Sequence, residues 1–394
     1  MDLDGKSRRQ FFSQTASLAS GLWLASGRSA PAAPKIIKRT LIDKQPHIYH
    51  GWPTLARKKD GELILVCSGG RESHVCPFGR VDFLQSKDQG FTWSYPRTLV
   101  DSAIDDRDAG ILETANGSLL VTTFTSLAYE PNLKKDIADS SASKERWTKA
   151  KLEKLARCKG ARDRLSEAER NAQLGTWMIR SENGGIDFSA PYRVPVNSPH
   201  GPIQVSDGRI LYAGKALWTE AAKVGVAQST DDGKTWSWLA DIPTRQGDDH
   251  RDYHELHAVE LTKDHLIAHI RNHNKRNAGE TLQSESTDGG KSWSEPHEIG
   301  VWGLPSHLLR LRDGRLMMSY GHRRKPLGNQ VRISDDGGKS WSEPSLLSDD
   351  GVTGDLGYPS TVELDDGSFV SVWYEVRPGN PMASLRMSKW KLEG

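Results

Sequence analysis

Cysteine is scarce. Three residues in 394, Cys67, Cys76 and Cys158, cannot form a disulfide framework, and their spacing matches no thiolate metal site. A Cys67–Cys76 bridge and inert buried thiols are the two readings left open. The histidines contain neither an H-x-H nor an H-x-x-E-H pattern, so no metal-ligand signature is present and no cofactor is implied. Charge of one sign is also missing. A net charge of +2 excludes a polyanion-binding surface on the scale of a nucleic-acid protein. Beyond the first 33 residues no run is long and apolar enough to span a bilayer.

What the chain has is repetition. The phrase S-x-D-x-G-x-[ST]-W occurs at Ser86–Trp93, Ser229–Trp236, Ser286–Trp293 and Ser334–Trp341, with a worn copy at Ser181–Phe188. Each element has a use in a tight hairpin. The Asp caps backbone N–H groups, the Gly takes a positive φ, and the aromatic residue buries against a sheet. A second repeat, two apolar strands around a short turn, recurs at Asp60-Gly61, Asn116-Gly117, Asp207-Gly208, Lys263-Asp264, Asp313-Gly314 and Asp366-Gly367. Six such hairpins, mostly followed by the Asp-turn phrase, predict an all-β fold of six four-stranded sheets. Radial closure protects sheet edges, so a six-bladed β-propeller is expected, with an open solenoid as the alternative. Lys35–Ile42 is expected to complete the last blade and fasten the ring. The repeats run through residues 34–394, which reads as one domain.

Residues 1–33 read as an export signal. Arg8-Arg9 followed by Phe11-Phe12, a weakly apolar Ala16–Ser26 stretch and Ala30-Pro31-Ala32-Ala33 resemble a twin-arginine leader. This predicts recognition by the twin-arginine export machinery and a periplasmic or extracellular bacterial location. The rhythm breaks at about 131–174, where Lys, Glu, Ala and Arg dominate. Ser166 and Glu169 have capping-box spacing. A helical insertion in blade two is expected, either a solvated excursion or a lid.

Residues just ahead of each blade's inner strand converge on one face of the tunnel. Reading upstream of the six turns gives His50, Asp108, His200, Glu255, His307 and Tyr358, a ring rich in titratable groups. Any one of them alone is more simply a rim side chain or a turn partner.

At these residues the chain resembles the sialidase (neuraminidase) superfamily. The hairpin phrase is that family's Asp-box. Glu255-Leu-His257-Ala-Val-Glu260-Leu261 followed by Arg271-Asn272 is similar to the family's catalytic-glutamate strand and one of its three carboxylate-binding arginines. Gly357-Tyr358-Pro359-Ser360 with Asp366-Gly367 and Tyr374-Glu375 resembles the segment of the nucleophilic tyrosine. The resemblance implies Tyr358 as nucleophile, Glu255 as its base, and Arg271 with Arg323 or Arg324 as carboxylate ligands. A phenol with pKa near 10 needs a neighbouring carboxylate to become nucleophilic at neutral pH, and a Tyr nucleophile is an exception to the two-carboxylate rule of glycosidases.

Two features depart from the family. Gly51-Trp52-Pro53 stands where the family has its first arginine, and Gly70–Arg80 lacks the acid/base aspartate. Arg71, Arg80 and Arg107 are candidate replacement cations; Glu72, His74 and Asp108 are candidate acids. The implied substrate is a glycan or glycoconjugate ending in a sialic, ulosonic or uronic acid. Two other readings stand beside the hydrolase. His50, His74, His200, His257 and His307 approaching one mouth would suit β-elimination on a uronate by a His/Tyr lyase. A glycan-binding propeller without chemistry would keep the scaffold alone.

Overall fold

The computed structural model describes residues 34–392 apart from Lys44 and Ser143; the expected export signal lies outside the described residues. Strands form six four-stranded antiparallel sheets. Their inner strands are Tyr49–Arg57, Asp105–Glu113, Ile203–Gln204, Tyr253–Thr262, Ser306–Arg310 and Leu356–Glu363, one per blade. Pro34–Leu41 pairs with Asn380–Leu392 of blade six, in register from Pro34 opposite Leu392 to Leu41 opposite Arg386. The chain therefore closes as a six-bladed propeller, and the open solenoid is excluded.

Apolar side chains fill the wedges between blades. Leu65, Leu84 and Trp93 of blade one meet Val370, Val372 and Leu385 of blade six. Ile64, Val66 and Phe83 meet Ile111, Leu119 and Val121 of blade two. Burying each such side chain contributes about 1.5–3 kcal/mol, so these wedges dominate the stability of the ring.

The Asp-turn phrases join third to fourth strands in blades one to five. At Asp288, Oδ1 accepts from Ser286 Oγ at 2.8 Å and from Ser292 N at 2.9 Å, while Oδ2 accepts from Ser292 Oγ at 2.6 Å. Gly290 has φ +88°, which a side chain would strain, and Trp293 Nε1 donates to its carbonyl at 3.1 Å. Alternation of strand direction puts these turns and the Asp-Gly turns on one face. The starts of the inner strands lie on the other.

The insertion leaves from that second face, between strands Leu119–Ser126 and Thr176–Ser181 of blade two. It comprises α1 (Glu130–Ala142), α2 (Lys149–Asp163) and α3 (Glu167–Ala172). The Ser166–Glu169 capping box is formed in full at the start of α3. Leu133 of α1 and Cys158 of α2 pack with Tyr129 against Val75 and Phe78 of the blade-one loop. All three cysteines are buried free thiols. No helix among the described residues is long and apolar enough to cross a membrane.

Candidate active site

One backbone device recurs at the starts of the inner strands. Trp52, Asp108, Glu255 and Tyr358 all have positive φ, at 52°, 48°, 45° and 54°. Each lies in an irregularity of register against its neighbouring strand, between Gly51 and Thr54, Arg107 and Gly110, His254 and His257, and Gly357 and Ser360. A bulge adds a residue and re-aims its side chain, here toward the propeller axis. A bulky side chain in the left-handed region is unfavourable in isolation and persists because the surrounding sheet imposes it.

Glu255 and Tyr358 meet there. The Tyr358 phenol donates to Glu255 Oε1 at 2.5 Å. Arg271, on the adjacent strand His265–Asn272, donates through Nη1 to Glu255 Oε2 at 2.5 Å and to the Tyr358 oxygen at 3.0 Å. Its Nε donates to His273 Nε2 at 2.8 Å. Burial opposes ionisation of Glu255, but the Arg271 guanidinium and the Tyr358 hydrogen bond outweigh it and hold the carboxyl below its ordinary range. Burial and the Glu255 charge push the Tyr358 phenol well above its ordinary value. The resting pair is thus a carboxylate facing a neutral phenol, the protonation a tyrosine nucleophile and its base require.

Asp108 lies beside this pair. Burial, with the Glu255 charge adding to it, raises its carboxyl to about 7 against the opposing pull of Arg107. Its Oδ1 is buried without a hydrogen-bond partner. Arg323 also faces the site, donating through Nε and Nη2 to the Leu356 carbonyl at 3.2 and 3.0 Å, two residues before Tyr358. Arg324 does not; its guanidinium lies 3.8 Å over the Trp302 ring.

Trp52 occupies the place of the missing arginine and is fully buried. The guanidinium carbons of Arg71 and Arg107 lie 4.9 and 4.4 Å from its ring centre. Arg71 is not available to a substrate carboxylate. It is buried and pairs with Asp105 at 2.6 Å, donates to the His74 carbonyl at 2.9 Å, and donates to the Asp106 carbonyl at 3.2 Å. A Cβ on Gly79 would sit 2.0 Å from Asp105 Oδ1 and 2.2 Å from Arg71 Nη1, so glycine lets the loop close over this ion pair. Arg80 pairs with Asp82 at 2.9 Å.

Of the candidate acids, Glu72 is turned away, held by Arg157 of α2 at 2.8 and 3.0 Å. His74 stands at the mouth with half its side chain exposed, its Nδ1 2.9 Å from Asp355 Oδ1. The sequence did not single out Asp355 or Tyr49, and named Tyr374 only within the segment of the nucleophilic tyrosine, yet Tyr49 and Tyr374 both donate to the Asp355 carboxylate, at 2.9 and 3.1 Å. Nothing within the local motif around Asp355 marks it; only its proximity to Tyr374, two strands' length away, does.

Four of the expected mouth histidines lie elsewhere. His50 is fully buried at the seam of blades one and six, 3.9 Å from Asp43, because Trp52 and not His50 takes the bulge position. His200, His257 and His307 cluster with ring centres 4.5–5.3 Å apart. They line an axial cavity of about 440 Å³ on the turn side of the site, with Thr54, Ile111 and Val362. Among the described residues no group of three or more His, Cys, Asp or Glu side chains is arranged to hold a metal ion.

Residues 162–371 match the family model of the BNR repeat-like domain, more than half of the chain. The chain belongs to that family. Solved structures that share the fold of this BNR-repeat propeller include sialidases. A Dyadobacter fermentans protein of unknown function superposes with TM-score 0.72 at 22% identity, over 92% of this chain and all of that one. The Hadza microbial sialidase Hz136 gives 0.62 at 16%, over 87% of this chain and 66% of its own. The NanB sialidase of Streptococcus pneumoniae gives 0.61 at 13%, over 91% and 71%. At these identities the likeness concerns the fold. No curated protein sequence matches.

Proposed function

We propose that this BNR-repeat propeller is an exo-acting glycoside hydrolase that releases a terminal acidic sugar, a sialic acid or related ulosonic or uronic acid, from a glycan. The observation that carries the reading is the Tyr358–Glu255–Arg271 cluster, a neutral phenol 2.5 Å from an ionised carboxylate at the propeller axis. Tyr358 attacks the anomeric carbon as Glu255 takes its proton. A neutral nucleophile suits a sugar that already bears a carboxylate, since two anions are not forced together. Arg271, Arg323 and Arg107 supply the cationic side of the pocket; bidentate guanidinium contacts favour a carboxylate.

The leaving glycan would lie toward a cleft of about 960 Å³ between the Ser73–Pro77 loop and helices α1 and α2, lined by His74, Tyr129, Trp147 and Lys151 among others. Such a cleft argues for a glycan aglycone over a small alcohol. The lyase reading is weakened because His200, His257 and His307 face the axial cavity instead of this mouth. A binding module would have no use for a phenol and a carboxylate sharing a proton.

The test is a product assay across sialosides and uronate-containing polysaccharides, read by mass. A free saturated sugar supports the hydrolase. An unsaturated uronate with new ultraviolet absorbance identifies a lyase instead, and saturable binding without turnover leaves only the scaffold.

A further inference from the structure

The loop Glu72–Gly79 has a conformation imposed by its anchors. Arg71 and Arg107 both donate to the His74 carbonyl, at 2.9 and 3.4 Å. The imidazole stands edge-on to Trp52, ring centres 4.9 Å apart, and the same Trp52 ring lies 6.3 Å from that of Tyr358. Nδ1 is engaged at 2.9 Å by Asp355 and at 3.0 Å by the Tyr49 hydroxyl. Asp355 in turn accepts from Tyr49 and Tyr374, and the Tyr374 ring is 5.8 Å from that of Tyr358. Burial disfavours the Asp355 charge, but the hydrogen bonds from His74, Tyr49 and Tyr374 hold it below its ordinary range, so it is a carboxylate. A carboxylate on Nδ1 fixes the tautomer and leaves Nε2 as the nitrogen that meets a ligand.

Resting on the hydrolase reading, we propose that His74, oriented by Asp355, is the acid that protonates the leaving oxygen and the base that activates the water of the second step. A tyrosine attacking one face of the anomeric carbon requires its leaving group on the opposite, solvent-facing side. His74 is the candidate at the mouth. Asp108 is nine-tenths buried, its charge interacting with Glu255 and Tyr358, and does not stand exposed at the mouth as His74 does. Glu72 is tied to Arg157.

The step balances. As the Tyr358 oxygen bonds to the anomeric carbon, the glycosidic C–O bond breaks; Glu255 takes the phenol proton and the His74 imidazolium gives its Nε2 proton to the leaving oxygen. In the second half neutral His74 takes a proton from water, the resulting oxygen bonds to the anomeric carbon, and the Tyr358 oxygen departs and recovers its proton from Glu255. Asp355 stays a carboxylate throughout and is a positioning residue.

The experiment compares the full chain with His74→Ala and Asp355→Asn on 4-nitrophenyl and methyl glycosides of N-acetylneuraminic acid and of glucuronic acid. A nitrophenolate departs without protonation; an alkoxide does not. His74→Ala should lose about 10²–10⁴-fold in kcat/KM on the methyl glycoside and retain near-wild-type kcat/KM on the nitrophenyl one, with a burst of nitrophenolate ahead of a slowed steady state because the second step has lost its base. That retention also reports an intact fold. Asp355→Asn should show the same split, smaller. Equal losses on both leaving groups, or a split that appears in Asp108→Asn and not in His74→Ala, would overturn the assignment while leaving the hydrolase standing. Failure of the wild-type protein to release sugar from any of these probes would remove the hydrolase and the assignment together.

Discussion

Glu255 accepts the Tyr358 hydroxyl at 2.5 Å, although 103 residues of chain separate them. The two side chains come from blades four and six and meet only because the ring is closed. Their relationship generates the first expectation. Tyr358→Phe and Glu255→Ala should each lower kcat by about 10²–10⁴-fold, the range of a positioned nucleophile or base. The double variant should fall little further, since groups acting as one unit are not additive. Additive losses measured in that cycle would separate their roles.

Arg323 and Arg324 should behave differently despite adjacency. Arg323→Ala removes a cation beside Leu356 and Tyr358, and KM for an acidic sugar should rise by about 10–100-fold, as for a charged hydrogen bond of roughly 1.5–3 kcal/mol. Arg324→Ala removes only stacking on Trp302 and should leave KM near wild type. Steady-state kinetics of the two variants decide the matter.

The axial histidines should set the acid limb of stability. Burial lowers His307 to about 3 and holds His200 and His257 well below their ordinary range. A group neutral in the folded chain but protonated when unfolded makes stability rise with pH between the two values. For His307 that window runs from about 3 up to the ordinary 6.5. Within it each such histidine contributes a slope of about 1.4 kcal/mol per pH unit. His307→Leu should therefore flatten the fall in stability below pH ~6.5 by about one proton. Urea midpoints measured across pH on both proteins would show an unchanged slope if the reasoning is wrong.

The Asp-turns should matter for folding alone. Asp288→Ala removes the acceptors of Ser286, Ser292 and the Lys291 N–H on the face away from the site. Its hydrogen bonds keep Asp288 at about 2, so their contribution is present at neutral pH and is lost as pH falls toward that value. A loss of about 1–2 kcal/mol in stability with kcat/KM unchanged is expected, the magnitude of a helix or turn cap. Altered kinetics would show that the turn face communicates with the mouth.

Much of the architecture was legible because its signals are local. An eight-residue hairpin phrase encodes its own turn through one Asp and one Gly, whose capping and positive φ act within four residues. The strand at Pro34–Leu41, the capping box at Ser166 and the blade count follow from such signals. The mouth was less legible. Reading six to ten residues upstream of each turn found Asp108, Glu255 and Tyr358 but selected His50 where Trp52 holds the bulge, and His200 where Gly201, with φ +77°, takes the positive angle. One extra residue in a strand reverses which side faces the axis, and no composition marks where it is inserted.

By itself the sequence determined the number of blades, the turn chemistry and the residue types at the start of each inner strand. Tertiary structure alone decided which of them meet. Arg71 went to Asp105, Arg324 to Trp302, three histidines to the axial cavity, and His74 to an aspartate 281 residues away. The reason is physical. Hairpin geometry depends on torsions within a few residues, whereas contact between blades depends on ring closure and on the single-residue bulges that set which way each side chain points.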